Sequence, residues 1–225
     1  MIRLIIFDLD DTLYPEMDFV KSGFRNVSEA LSRDFGFQTG EIYCLLINAF
    51  NEDRKFVFNR VLNTLGINDD AYLTKIISIY RNHEPKIQLY PDAEKMLPFL
   101  KKNFLLGLVT DGFPVTQKLK IEALNIEKYF NKIIYTWEKD GNYSKPSVLP
   151  FKDMLDEFRI MPAQAVYIGD NVEKDFKGPK ELGMLSIRIA RNDGIYKDVI
   201  TISEDFEPDY SINSLLDVVN LLAKL

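Results

Sequence analysis

Little in this 225-residue chain invites covalent cross-linking or sulfur and imidazole chemistry, since it holds one cysteine, Cys44, and one histidine, His83. A lone cysteine cannot close an internal disulfide. Cys44 lies among Leu45, Leu46 and Ile47 with no histidine nearby in sequence to activate it, so it reads as a small apolar core residue. Long apolar runs are missing too. The N-terminal run, Leu4 to Phe7, stops at Asp8 and falls short of a signal-peptide core or of the roughly 20 residues of a membrane span, so no membrane association is expected and the protein is expected in the cytoplasm. Basic clusters are absent: 28 Lys and Arg are scattered against 34 Asp and Glu, for a net charge of -6, which argues against nucleic acid or another polyanion as partner. No internal repeat or low-complexity segment occurs. What remains, with 46% hydrophobic and 28% charged residues, is the composition of a globular protein long enough for a core domain and a small second one.

Five short apolar runs have the character of buried parallel strands: Ile2 to Phe7, Phe104 to Val109, Lys132 to Thr136, Ala165 to Gly169 and Leu185 to Ala190. Helical segments separate them from the second onward. Pro91 and Asp92 open one, Pro114 begins another ending near Leu124, and Pro146 and Ser147 begin a third ending near Phe158, because a proline in the first turn forfeits no hydrogen bond. Alternating strands and helices with short connections predict an α/β fold, a doubly wound parallel sheet with right-handed crossovers.

Residues 15–88 follow a different period. Val20, Phe24, Val27, Leu31 and Phe35 step by three and four, as do Ile42, Leu45, Leu46, Ala49 and Phe50, and then Tyr72, Ile76 and Ile79, with Gly36, Gly40 and Gly66 as stops. This predicts a helical domain inserted after the first strand, leaving residues 1–14 and 89–225 as the core domain. Phe56 and Phe58 are expected to pack within or beside that insert.

In a doubly wound sheet, ligands bind beyond the carboxyl ends of the strands. Asp8, Asp10 and Asp11 follow the first run, Thr110 and Asp111 the second, Lys145 the third, and Asp170, Asn171 and Asp175 the fourth. Adjacent strands would bring these together, and two like charges about 4 Å apart repel by roughly 4 kcal/mol at an effective dielectric near 20. A cation must offset them. Clustered carboxylate oxygens without His or Cys favour a hard divalent ion, and Mg²⁺ binds one or two carboxylates together with a substrate phosphate. Asp11 reads as a turn residue, and Thr12 as a cap or donor.

The run Phe7-Asp8-Leu9-Asp10-Asp11-Thr12-Leu13 resembles the first motif of the haloacid dehalogenase-like hydrolases, specifically their phosphatase branch. Thr110, Lys145 with Pro146, and Gly169-Asp170-Asn171 with Asp175 and Gly178 resemble the other three motifs, in the family's order. The resemblance covers the core domain and implies an aspartyl-phosphate mechanism. Asp8 is then the nucleophile; Asp10 protonates the leaving group and later deprotonates water. Mg²⁺ is held by Asp8, the Asp10 backbone carbonyl and Asp170, with Asp175 and Asn171 in support. Thr110, Asp111 and Lys145 form the region that binds the transferring phosphate, although Asp111 stands where the family often carries Asn. The insert takes the position of the family's cap, where specificity is expected; it carries no recognisable motif, so sugar phosphates, nucleotides and other small phosphorylated metabolites all fit as substrate. Oligomeric state leaves no trace in the sequence. Lys174 and Lys177 are expected to be solvated, His83 to be outside the chemistry, and Trp137 and Tyr143, which flank Lys145, to pack conventionally.

Four rival readings separate on specific features. A dehalogenase of the same superfamily needs neither Mg²⁺ nor an acid two residues after the nucleophile, so Asp10 argues against it. A phosphomutase would return the phosphate to a sugar, which only an assay distinguishes. A phospho-receiver signalling module lacks the Asp-x-Asp spacing with the nucleophile first, and lacks a helical insert. A non-enzymatic binding descendant would have little reason to keep every charge of a costly site.

Overall fold

All five apolar runs become strands in the computed structural model, which describes residues 1–139, 141–201 and 203–224. Along the chain the elements are β1 (Leu4–Phe7), α1 (Glu16–Phe35), α2 (Thr39–Glu52), α3 (Val57–Thr64), α4 (Asp70–Asn82), α5 (Pro91–Asn103), β2 (Leu105–Thr110), α6 (Pro114–Ala123), β3 (Lys132–Tyr135), α7 (Leu149–Phe158), β4 (Ala165–Gly169), α8 (Lys177–Leu182), β5 (Leu185–Ile189), β6 (Tyr210–Ile212) and α9 (Val218–Leu222). The strands form one parallel sheet in the order β3-β2-β1-β4-β5-β6. The first strand therefore lies in the middle, flanked by β2 and β4, and the strand order reverses beside it, which is where a doubly wound sheet opens a binding crevice.

β1 is wholly buried, as a strand covered on both faces must be. On one side Leu4, Ile6, Val109 and Tyr167 pack with Phe151 and Met154 of α7 and with Phe176. Two boundary differences bear on the rim of the sheet. Thr110 is the last residue of β2 rather than the first beyond it. α7 begins at Leu149, not at Pro146, because residues 144–147 close a turn through the Ser147 N–H and the Ser144 carbonyl (3.0 Å), and Pro150 takes the first-turn position.

The chain divides into two compact units, one made of Met1–Glu16 with Gln88–Leu225 and the other of Met17–Ile87. The second unit is helical and has its own core, in which Val20, Phe24, Val27 and Leu31 of α1 meet Ile42, Leu46 and Ala49 of α2, Val61 and Leu62 of α3, and Tyr72 and Ile76 of α4. Its stops are Gly36 and Gly66, both with positive φ; Gly40 lies inside the first turn of α2, because Gly36 has already ended α1. Three residues expected in the core are exposed: Phe35, Phe56 and Cys44. The stripe of α2 runs through Ile42, Leu46 and Ala49, and Cys44, two residues from Ile42, points about 200° away from it. Phe56 takes a left-handed conformation at the start of α3, which turns its ring outward, whereas Phe58 meets Phe24 edge-on at 6.0 Å.

Candidate active site

Phe7, the last residue of β1, pairs with Leu108 of β2 and Ile168 of β4, so β2 runs two residues and β4 one residue past the end of β1. Asp8 extends the ladder by one bond, donating its N–H to the Ile168 carbonyl at 2.9 Å. Asp170 comes immediately after β4, and Thr110 closes β2. From the loop after β3, Lys145 reaches the same rim. Its fully buried ammonium donates to Asp8 Oδ1 (2.7 Å), Asp175 Oδ1 (2.7 Å) and the Tyr167 hydroxyl (2.9 Å). The Tyr167 hydroxyl donates to Asp175 Oδ1 (3.1 Å), and Asp175 Oδ2 accepts from the Asn171 N–H (2.9 Å). Asn171 in turn accepts from the Glu173 N–H at 2.9 Å, which closes the loop after β4.

Burial would discharge Lys145, but Asp175 and Asp8 beside it outweigh burial and hold its ammonium well above the usual lysine value. The carboxylates are worse off. Burial lifts Asp8 to about 6 in spite of Lys145, and burial followed by the charges of Asp175 and Asp8 pushes Asp170 well above the carboxylate range. One oxygen each of Asp8, Asp170 and Asp175 lies within 4.8 Å of the others. Ionising all three of these buried carboxyls, with one ammonium shared between Asp8 and Asp175, would leave an excess of negative charge in a low-dielectric place. All the donors are hard oxygens. This set can hold a metal ion, and its chemistry fits a hard divalent cation.

The Asp10 carboxylate is not in that cluster. Its Oδ1 accepts from Lys120 (2.7 Å) and from the Tyr14 hydroxyl, and its Oδ2 accepts from Gln117 (2.9 Å). Burial opposes ionisation here as well, but the Lys120 ammonium and the hydrogen bonds of Lys120, Tyr14 and Gln117 prevail, holding the carboxyl below its ordinary value. Thr110, fully buried, accepts from the same Gln117 amide at 2.5 Å.

Asp111 departs from a direct phosphate contact. Its Oδ1 accepts from the Thr136 hydroxyl (2.7 Å) and the Lys145 N–H (3.3 Å), and its Oδ2 faces Lys174 at 3.4 Å. Burial notwithstanding, Lys145 and Lys174 keep it ionised, and a carboxylate has no proton to offer a phosphoryl oxygen. It anchors the Lys145 backbone instead. Lys174, expected in solvent, is two-thirds covered, and it lines with Asp111, Lys145, Ser144, Gly141 and Trp137 a cavity of about 640 Å³. Lys177 lies against Glu181 at 3.8 Å. Asp11 is a turn residue at φ +50, its carboxylate accepting from the N–H groups of Glu16 (2.8 Å) and Ile195 (2.6 Å), while the buried Thr12 hydroxyl has no partner among the described residues. His83 donates from Nδ1 to the Tyr80 carbonyl (2.7 Å) within the helical unit. Tyr143 is buried and donates to Asp153 (2.6 Å).

The sequence did not point to Tyr14, Gln117, Lys120 or Tyr167. Tyr167 reads as one more apolar strand residue, and Gln117 and Lys120 carry no motif; their only mark is that the segment from Pro114 to Ala123 lacks an apolar stripe.

A family model described as haloacid dehalogenase-like hydrolase matches residues 5–189. Among curated proteins, the glyceraldehyde 3-phosphate phosphatase of Methanocaldococcus jannaschii is 35% identical over 234 positions, covering 100% of this chain and 99% of that protein. The enzyme of the same name from Methanopyrus kandleri is 31% identical, with 100% of both covered. Among solved structures, 2-haloacid dehalogenase from Pseudomonas syringae pv. Tomato DC3000 superposes with a TM-score of 0.67 at 22% identity, covering 100% of this chain and 99% of that one, a likeness of fold. The motif residues meeting at one rim of the sheet, the family match across most of the chain and full-length relatives above 30% identity agree: the chain belongs to the haloacid dehalogenase-like hydrolases.

Proposed function

We propose that this phosphoric monoester hydrolase cleaves a small phosphorylated metabolite through an aspartyl-phosphate on Asp8, with glyceraldehyde 3-phosphate as the first substrate to try because the full-length relatives carry that name. The observation that carries the reading is the meeting of Asp8, Asp170 and Asp175 at one point, with the buried Lys145 ammonium bonded to Asp8 and Asp175. An Asp8 oxygen attacks phosphorus as the ester P–O bond breaks, and Asp10, ionised in the free enzyme, takes up a proton with the incoming phosphate monoester and gives it to the departing alkoxide. Water then attacks the aspartyl-phosphate, Asp10 takes its proton, and phosphate leaves with Asp8 restored. Lys145 and the Thr110 hydroxyl bind the transferring oxygens, so that charge developing there meets fixed donors. Asp8, Asp170 and the Asp10 backbone carbonyl, supported by Asp175 and Asn171, would hold Mg²⁺, which when bound supplies the positive charge that lets an anionic nucleophile approach an anionic phosphoryl group. In this reading residues 1–14 and 89–225 are the catalytic core and residues 15–88 its cap.

The test is phosphate release from glyceraldehyde 3-phosphate and from an aryl phosphate, with and without chelator. Asp8→Asn is expected to lose at least about a thousandfold in turnover, as for removal of a covalent nucleophile, and EDTA to silence the wild type until Mg²⁺ is restored. Turnover of Asp8→Asn near the wild-type level would refute the mechanism, and full activity in EDTA would refute the metal. Recovery of an isomeric sugar phosphate instead of inorganic phosphate would make the chain a mutase.

A further inference from the structure

α6 buries the wrong kind of residue for a helix whose only task is packing. Of its four buried side chains, Thr116, Gln117, Lys120 and Ile121, only the last is apolar. Gln117 is 1% exposed and Lys120 4%. Placing an amide and an ammonium there destabilises the fold unless their donors are matched, and an apolar pair of similar size would pack without that demand. Their donors are matched by the two side chains to which the proposed mechanism assigns proton transfer and phosphate binding.

We propose that Gln117 and Lys120 are positioning residues, which set Asp10 and Thr110 from one face of α6; the inference rests on the mechanism above. Three residues apart, they lie on the same side of the helix. Gln117 has two N–H donors on one nitrogen, and it spends one on Asp10 Oδ2 (2.9 Å) and one on Thr110 Oγ1 (2.5 Å). The reverse amide orientation would set its oxygen against a carboxylate, so the polarity of this bridge is determined. A threonine hydroxyl that accepts from Gln117 keeps its single proton for another acceptor, and the transferring phosphoryl group is the acceptor the mechanism supplies. Lys120 meanwhile takes Asp10 Oδ1 at 2.7 Å, beside the Tyr14 hydroxyl. With both oxygens held, the Asp10 carboxylate cannot swing freely about its side-chain torsions. One short helix face thus links the group that handles the leaving oxygen to the group that binds the phosphoryl oxygens.

The discriminating measurement is kcat/KM on two substrates, an alkyl phosphate such as glyceraldehyde 3-phosphate, whose alkoxide needs a proton to leave, and 4-nitrophenyl phosphate, whose phenolate does not. Lys120→Met should lower kcat/KM for the alkyl ester by about tenfold or more and for the aryl ester by less than about threefold, since general acid catalysis is worth about a hundredfold or more when fully lost. Gln117→Leu should lower both, the alkyl ester further, because Thr110 acts whatever the leaving group. Lys120→Arg, which retains a donor, should recover most of the loss, and in an Asp10→Asn background Lys120→Met should change the alkyl rate by less than about twofold, as for residues acting through one group. An equal fall on both esters for Lys120→Met, an undiminished effect in the Asp10→Asn background, or wild-type rates in both single variants would overturn the positioning role while leaving the mechanism in place. A wild-type protein inactive on every phosphate ester, or an Asp8→Asn variant as active as wild type, would instead overturn the mechanism and this inference with it.

Discussion

At Gly178 the first turn of α8 presses against the loop that carries Lys145. A methyl group there would stand 2.8 Å from both the Pro146 and Ser147 carbonyl oxygens and 3.0 Å from the Phe151 ring, and backbone cannot step aside as a flexible side chain can. Gly178→Ala is therefore expected to destabilise the fold by about 1–3 kcal/mol. Turnover should fall by at least about tenfold in the folded fraction, because Lys145 directly precedes the displaced residues and a shift of about 1 Å at a positioned group is expensive. Urea denaturation and initial rates at a temperature where the variant is folded check the two parts separately. Gly183 supplies the contrast, since a methyl there meets nothing within 4 Å and strains only its own φ of +78, so Gly183→Ala should leave the rate alone. Much of the candidate site was legible at this scale: Asp8 and Asp170 directly follow strands, and Asp175 and Lys145 lie in the loops beyond β4 and β3, in an order that the sheet brings together. Gln117, Lys120 and Tyr14 were not, because a buried lysine differs from a solvated one only through what it packs against, and Asp111 reads as a phosphate contact in the sequence but accepts from Thr136 and the Lys145 N–H and faces Lys174 in the fold.

At the scale of elements, legibility follows the strength of the apolar period. β1 and β4 are buried throughout and were evident as unbroken runs. β6 was not, since it has three residues, Tyr210, Ser211 and Ile212, of which only the last is buried, and a single inward side chain makes no pattern. α3 went unnoticed for a related reason: its eight residues are too few for a stripe to repeat, although Val57, Val61 and Leu62 are buried. The long helix α1 was the plainest of all, and its core contribution centres on Phe24, which meets Phe50 at 5.9 Å, Phe58 at 6.0 Å and Tyr80 at 5.7 Å between ring centroids. Removing that ring leaves three aromatic neighbours facing a void. Phe24→Ala should cost the helical unit about 3–5 kcal/mol, read as faster amide hydrogen exchange across residues 17–87. Protection unchanged from wild type would mean that the cluster is dispensable and that α1 is held by its aliphatic residues alone.

At the scale of the whole sheet-bearing unit, one of the ion pairs at the sheet's carboxyl edge ties three segments far apart in sequence. Arg191, in the loop after β5, donates to Asp92 at the start of α5 (2.8 Å) and to the Thr12 carbonyl after β1 (2.8 Å). Asp92 also accepts from the Ser214 hydroxyl (3.1 Å) and the Leu215 N–H (2.8 Å), beyond β6. Both side chains of the pair are about one-tenth exposed, so removing the cation leaves a covered carboxylate unmatched, and Arg191→Met should lose about 3 kcal/mol near neutral pH. Burial raises the Asp92 carboxyl, but the bonds from Arg191 and Leu215 prevail and hold it below its ordinary value of 3.8. A folded carboxyl more acidic than the unfolded one binds fewer protons, so the stability it confers is complete above 3.8 and is lost as the pH falls below that value. The difference between wild type and Arg191→Met should accordingly be full at pH 7 and shrink as the pH falls below 3.8 through the folded carboxyl's lower value, beyond which a protonated Asp92 no longer answers the guanidinium. Urea titrations of the two proteins at both ends of this range measure it. A gap of constant size would mean that Arg191 acts through packing, its guanidinium lying 3.9 Å from the centre of the Tyr90 ring, and that charge at this edge contributes nothing.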